Sequence, residues 1–565
     1  MSGIAKIPAV QLEIDIDRCS LVYGVGACTA TGTPGQECYQ TYKTCQAKAA
    51  YTQGTPLTIK LQMIGAPTVV GYRPYLKSYT PSPTEISMEA GLGPRASATL
   101  TVADEPCIDV EFDPYIANRA APATGTYWSR FFARVHNNSG RPARIKRAGL
   151  ATDGTGTYTT ELYQVESMKG PSNGEVTIVL KDPLKLADRI KVPKPTSGKL
   201  AVALGTGDLL MTLGTGEGAQ YPATGYVRVG DQVIRYTSNA ADVLSWPDST
   251  YRSQFNTTAV SADIGAGVQL CKVYIGELVS DVIKDLCNEA NIADANIDLA
   301  GNAIEDADWL GTAYRITACL PDPEDVTVYL GEIAVETGGA IWWSPVAQKV
   351  RYKFIGPQSP AASAGQELTE TANLIEGSTK VEPQDALRKT YTGIYYDLVN
   401  ATANRKEAKN YNRGEIHVDT DAESANEYGD RRVDLLQSRW FSIDNASAMR
   451  AFVKRRLGRY RDAPVNVSFK VDPKDADIRE GDLYTITTSQ IVGEDGSNRP
   501  INVLVLKRTE NSGDIELVTR STNFERRYGF IAPDGTSNFP DNGGYACICL
   551  DTGLMPDGSP GYLII

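Results

Sequence analysis

The sequence predicts a mainly β, multidomain α+β chain, and three observations carry that prediction. Apolar and polar residues alternate with a period of two in one segment after another, helical stripes are few, and glycine-rich turn signals separate the strands. The chain has 565 residues, enough for about three to five domains of ordinary size. Hydrophobic residues make up 42% and charged residues 22%, the balance of a globular chain and not of a disordered one.

Near the N-terminus, "QLEIDID" alternates Leu12, Ile14 and Ile16 with Glu13, Asp15 and Asp17, so a half-buried strand runs into Cys19. The aromatic runs "GTYWSRFF" (Tyr127, Trp128, Phe131, Phe132) and "AIWWSP" (Trp342, Trp343) read as strand aromatics divided between core and interface. "GPSNG" at 170–174 has the letters of a hydrolase nucleophile elbow, which needs a helix after Ser172. The following "EVTIVLKD" is a strand pattern and Asn173-Gly174 a hairpin signal, so Ser172 is expected in a turn. "GTGDLLMTLGTGEG" reads as turns flanking a strand, and "GYVRVGDQVIRYT" (225–237) as a hairpin turning at Gly230-Asp231.

Two helices stand out. "GELVSDVIKDLCNEA" places Leu278, Val279, Val282, Ile283, Leu286 and Cys287 on one stripe, which makes Cys287 a core thiol. "DNASAMRAFVKRRLGRY" begins with Asp444 and Asn445 as candidate caps and sets Met449, Phe452, Val453 and Leu457 opposite its Arg and Lys residues. "APVNVSFKVD" then alternates Val465, Val467, Phe469 and Val471, and "REGDLYTIT" turns at Gly481-Asp482 into another strand. Linker compositions fall at 193–199, 356–366 and 534–545.

With 56 Lys+Arg against 68 Asp+Glu the net charge is −12, which disfavours a protein that grips nucleic acid. The same balance suits a surface past which nucleic acid slides without sticking. The opening "MSGIAKIPAVQLEIDID" has no apolar stretch of signal-peptide length, and no run of about eighteen apolar residues occurs to span a membrane. A reducing cytosol is therefore expected, where structural disulfides are rare.

Against that background, four of the ten cysteines fall within residues 17–46, as C-x8-C-x9-C-x6-C: Cys19, Cys28, Cys38 and Cys45. Four thiolates complete a tetrahedral zinc site or hold an iron–sulfur cluster. Zinc sites usually offer CxxC knuckles, whereas every gap here is six residues or more, and spacing favours a metal or cluster over disulfides or free thiols without choosing between zinc and iron. Gly24, Gly26, Gly32 and Gly35 let the backbone approach the enclosed group. Cys107, Cys271 and Cys319 read as isolated buried thiols, and Cys547 and Cys549 as one face of a strand. The two histidines, His136 and His417, belong to no zinc-hydrolase motif, and neither a P-loop nor a dinucleotide fingerprint is present. No catalytic residues are assigned, and no enzyme is expected.

The thiol segment ending in "CYQTYKTCQ" resembles that of the tail-tip (baseplate) hub proteins of long, non-contractile-tailed bacteriophages and gene transfer agents, often close to C-[FY]-N-T-x-x-T-C-Q. The resemblance continues in the same order through "SPTEISMEAGLGPRASATLTVADE", "DPYIANRAAPATGTYWSRFFAR", "YQVESMKGPSNGEVTIVLKDPLKLAD", "YPATGYVRVGDQVIRYT" and "YRSQFNTTAVSADIGAGVQLCKVY", and covers about residues 10–525.

It implies two tail-tube-like β-barrels with inserted smaller domains, and three copies in a ring that closes the tail tube and adapts sixfold to threefold symmetry. It also implies a [4Fe-4S] cluster, with zinc as the alternative, held by Cys19, Cys28, Cys38 and Cys45. Implied partners are further copies in a homotrimer, a distal tail protein, a central tip fibre or receptor-binding proteins, a tape measure protein, and genome DNA in transit, with no stable membrane insertion. The place of action would be the virion tail tip, assembled in the bacterial cytoplasm.

The expected division is 1–55 for a strand and the thiol loop, 56–198 for the first barrel, 199–275 for a small inserted β domain and 276–380 for a helix-containing domain. Residues 381–525 would form the second barrel and 526–565 a docking extension that matches no hub pattern. The rival readings are a cell-wall hydrolase at the tail tip and a zinc-stapled adhesin for a surface glycan.

Overall fold

The computed structural model describes residues 7–30, 38–89, 91–106, 113–116, 125–135, 137–150, 156–310, 314–355, 367–418, 432–510, 514–522, 529–531 and 562–564. Cys107, His136, Cys547, Cys549 and the linkers at 356–366 and 534–545 lie outside them, as does most of the 526–565 extension. The chain is mainly β and divides into two units, one of residues 1–84, 95–185 and 343–349, the other of 85–94, 186–342 and 350–565.

In the first unit the period-two pattern closes on itself. Strands β1 (Ile7–Ile16), β2 (Leu57–Met63), β3 (Arg73–Ser82), β4 (Ser97–Ala103), β5 (Pro142–Leu150), β6 (Thr159–Ser172) and β7 (Glu175–Lys181) form a closed barrel in the order β1-β2-β3-β4-β7-β6-β5. Six neighbouring pairs are antiparallel and β2–β3 is parallel. The parallel pair is a matter of parity, because an odd ring cannot alternate direction all the way round. Leu12, Ile14 and Ile16 point inward as the alternation predicts, and meet Ile59, Leu61, Leu100, Ile145, Val176 and Ile178 in one core.

On the opposite side of β1 the polar residues are tied down. Glu13 takes hydrogen bonds from Arg144 Nε at 2.9 Å, Lys146 Nζ at 2.6 Å and the Tyr72 hydroxyl. Its side chain is only 7% exposed, so the strand is more deeply covered than half-buried alternation suggests. Burial alone would raise the Glu13 carboxyl, but the bonds from Lys146, Tyr72 and Arg144 outweigh it and hold the group at about 2.

The run at 127–132 is helical, which corrects the strand reading. Helix α1 (Tyr127–Arg134) starts at a capping box in which the Thr126 hydroxyl accepts from Ser129 N–H while Ser129 caps Thr126 N–H in return. Asp104 reinforces this start, accepting from the Thr126 hydroxyl and from Trp128 N–H at 2.9 Å. Tyr127, Trp128 and Phe131 are fully buried in the barrel core, and the Trp128 indole donates to Ala103 O at 3.1 Å. Between β6 and β7, Asn173 and Gly174 carry φ of 53° and 74°, the left-handed pair of a tight hairpin, and Ser172 lies at the turn as expected.

The second unit holds several sheets. The expected hairpin forms from Gly225–Val229 and Gln232–Tyr236 and joins Val268–Glu277 and Ile316–Leu320 in a four-stranded sheet. Val279–Glu289 is the predicted helix, with Cys287 fully buried. A six-stranded sheet runs in the order Glu367–Thr369, Leu483–Thr487, Ile501–Glu510, Ile515–Ser521, Val465–Val471, Lys380–Pro383. Its core includes Val467, Phe469, Val471, Ile486, Val503 and Leu517.

The helix Ala446–Tyr460 buries Met449, Phe452, Val453 and Leu457 as its pattern predicts. Its start differs, because Asn445 turns its side chain to Ser442 N–H and to Arg315 O and gives the helix no side-chain cap. Arg456 is also buried, so the cationic side of this helix is not all solvent-facing. Trp342 packs with Ile86, Met88, Ile355, Leu504 and Leu506, whereas the buried Trp343 indole donates to Leu162 O at 3.3 Å. Among the described residues no helix is long and apolar enough to cross a membrane.

Candidate metal centre

The four cysteines sit in the connection from β1 to β2. Where β1 ends, Cys19 makes a bridge to Gln53 on the returning chain, secured by Ser20 N–H to Thr52 O at 2.8 Å and Gly54 N–H to Arg18 O at 2.7 Å. The Cys19 N–H donates to Gln40 O at 2.7 Å, which pins the third cysteine's neighbourhood to the first. Turns deliver the others: Cys28 N–H reaches Val25 O at 3.2 Å and Cys45 N–H reaches Tyr42 O at 3.3 Å. Gly24 and Gly26, with φ of 67° and 61°, take the left-handed conformation that lets the chain reverse before Cys28.

None of the four thiols is in a disulfide, and all are partly buried. Burial pushes the Cys38 thiol up, the Gln40 N–H donated to its sulfur at 3.4 Å opposes this, and Cys45, Cys28 and Cys19 each add to the rise. Cys45, Cys28 and Cys19 therefore lie within electrostatic reach of Cys38. Tyr51 stands beside the set: burial pushes its phenol up to about 12, with Asp17, Cys19 and Cys45 adding to the effect.

The loop has little apolar material of its own. Among the described residues of 17–56, none is buried. Val22 and Val25 are exposed at 56% and 61%. What order it has comes from polar contacts with distant parts of the unit. The Tyr115 hydroxyl accepts from Tyr23 N–H at 3.0 Å and from Gln40 Nε2 at 3.3 Å. The Thr41 hydroxyl donates to Arg134 O at 2.6 Å, Lys43 Nζ donates to Phe132 O at 2.9 Å, and the Arg134 guanidinium lies 3.9 Å from the Tyr39 ring centre. Together these dock "CYQTYKTCQ" on the end of α1. Sequence spacing marked the four thiols but not Tyr51, Tyr115 or Arg134, whose roles depend on contacts remote in sequence. A cleft of about 470 Å³ lies alongside, lined in part by Asp17, Tyr42, Tyr51 and Arg141.

Among the described residues, no group of three or more His, Cys, Asp or Glu side chains is set to hold a single metal ion. The donor chemistry nonetheless fits a thiolate-bound group, with four unoxidised soft donors, one of them already accepting a backbone N–H at sulfur. Elsewhere, Cys271 and Cys319 are buried side by side on adjacent strands, and His417 lies on the strand Tyr411–Val418 away from any such set.

No protein-family model and no curated protein sequence matches the chain. Among solved structures, it is similar to a tail protein from Neisseria meningitidis MC58, with a TM-score of 0.36 and 11% identity over 79% of this chain and 96% of that one. The 43 kDa tail protein of prophage MuSo2 from Shewanella oneidensis gives a TM-score of 0.35 and 9% identity, covering 78% of this chain and 96% of that one. A chain of the virion of a native gene transfer agent particle gives a TM-score of 0.33 and 11% identity over 60% of this chain and 89% of that one.

Proposed function

We propose that this chain is a structural component of a phage tail tip, the hub of its baseplate. Three copies would form a ring that closes the tail tube, adapts sixfold to threefold symmetry, anchors a tip fibre and lets DNA pass during infection. We propose further that Cys19, Cys28, Cys38 and Cys45 hold a [4Fe-4S] cluster.

One observation carries the reading: a closed β-barrel interrupted, between β1 and β2, by a loop with four thiols outside any disulfide, three of them acting electrostatically on Cys38, and no buried residue among those described. Ordering a residue costs about 1–2 kcal/mol of backbone entropy, and a loop without a core cannot offset that by apolar burial. A bound inorganic core can, because ligand-binding energy is then folding energy. The group's contribution is structural: bound to four thiolates, it cross-links four points of one loop. The colinear resemblance of residues 10–525 to tail hubs supports the same reading, and the net charge of −12 suits a conduit that must not retain phosphate.

The test is anaerobic purification of the full chain. Brown protein with about four iron and four sulfide per chain, lost in Cys38→Ser, is expected. Colourless protein carrying zinc would replace the cluster by a zinc staple, and protein without either metal would overturn the centre. Light scattering should give three times the chain mass. Electron microscopy of antibody-labelled particles should place the label at the tail tip, and label along the tube or on the head would overturn the hub assignment.

A further inference from the structure

The helix Ala446–Tyr460 carries an arginine cluster of which, among the described residues, only Arg456 forms an ion pair. Arg455, Arg456 and Arg459 line a small pocket of about 20 Å³ together with Phe354, Phe452 and Gly338. Arg456 is paired with Asp434. Arg455 donates to the Tyr314 hydroxyl and lies 4.8 Å from the Phe354 ring centre, and Arg459 stacks on Tyr460 at 5.1 Å. Among the described residues, neither Arg455 nor Arg459 forms an ion pair.

The other charged groups that bear on the cluster do not balance it. Glu89 acts on Arg459 but is hydrogen-bonded to the Tyr460 hydroxyl at 3.1 Å and ion-paired with Arg520. Among the described residues, the ion pairs of Arg455, Arg456, Arg459 and Arg520 are Arg456 with Asp434 and Arg520 with Glu89. Arg459 Nη2 is buried and has no hydrogen-bond partner, a costly arrangement for a guanidinium. Burial, moreover, lowers the Arg459 guanidinium from its ordinary value.

We infer that this pocket is a binding site for one small monoanion, a halide or a carboxylate group, held by Arg455 and Arg459 against the aromatic wall of Phe354 and Phe452. The size fits: about 20 Å³ of space admits one water-sized group, a halide or one oxygen of a carboxylate whose remainder stays outside. The chemistry fits as well, because the unmet N–H of Arg459 and the excess guanidinium charge both call for an acceptor that carries negative charge. This site is independent of the thiol loop and of the tail-hub reading.

The experiment is thermal unfolding of the full chain at constant ionic strength, with sodium bromide, chloride or acetate replacing sodium methanesulfonate, a bulkier and weaker hydrogen-bond acceptor. A saturable rise in Tm of about 2–4 °C is expected for the wild type, and its loss in Arg459→Met and Arg455→Gln. A rise with halides alone assigns the pocket to a halide, and a rise with acetate assigns it to a carboxylate. Equal curves for all anions would overturn the inference. If neither variant folds, crystals of the wild type soaked in bromide and in acetate decide it: a halide or carboxylate bound against Arg459 in either supports the site, and its absence in both overturns it.

Discussion

Replacing Glu13 by Gln removes one acceptor from the outside of the barrel, and the structure sets the size and pH dependence of the loss. The Glu13 carboxyl lies at about 2 against an ordinary 4.5, so at about 1.36 kcal/mol per unit its ionised form contributes about 3 kcal/mol. The side chain is 7% exposed, so solvent screening removes little of this. The folded value is depressed, so the contribution is complete above the unfolded value near 4.5 and is lost as pH falls through 2. Between those limits it falls to roughly 1 kcal/mol at pH 3. Amide exchange of peptides from β1 and β5, corrected for intrinsic rates, should show Glu13→Gln opening more easily than wild type by the larger figure at pH 7 and the smaller at pH 3. A penalty that stays constant with pH, or none at pH 7, would refute the reasoning, since only an ionised acceptor gives a gap that closes on acidification.

Two further substitutions test packing. Trp128→Ala empties the space between α1 and the barrel wall and removes the indole bond to Ala103 O, and should destabilise the first unit by about 3–5 kcal/mol in urea unfolding followed by fluorescence. Gly481 has φ of 86°, and a Cβ there would lie 2.5 Å from Cζ2 of Trp342. Gly481→Ala should therefore cost about 2–4 kcal/mol and shift the near-ultraviolet signal of the Trp342 ring, whereas Asp482→Asn next to it should leave that ring's signal in place.

The elements that local pattern decides were legible. The alternation of β1, the Asn173-Gly174 and Gly230-Asp231 turns, and the stripes of the helices at 279–289 and 446–460 all appear where the residues predict them. The helix at 127–134 was not legible, because Tyr, Trp and Phe favour strands on average. Its deciding signal is a box of Thr126 with Ser129, in place of the usual Glu or Gln, assisted by Asp104 just past the end of β4. Arg456 shows the opposite failure. A cation within a basic run reads as solvated, and only the fold brings Asp434 to it. For the thiol loop, spacing nominated four residues, but the loop's docking depends on Gln40, Tyr115 and the end of α1, contacts that no local pattern encodes.

The single parallel pair in the barrel has a mechanical consequence. β2 and β3 share two register pairs, Leu61 with Arg73 and Met63 with Leu76, broken by a shift between them, whereas β1 and β5 share eight. Load carried around the ring is borne in series, so the hoop is as strong as its shortest splice. Heat or a pull across the wall should therefore unzip the ring between β2 and β3 first. The other six junctions would stay laced, and the barrel would open as a curled ribbon with its two free selvedges at that splice.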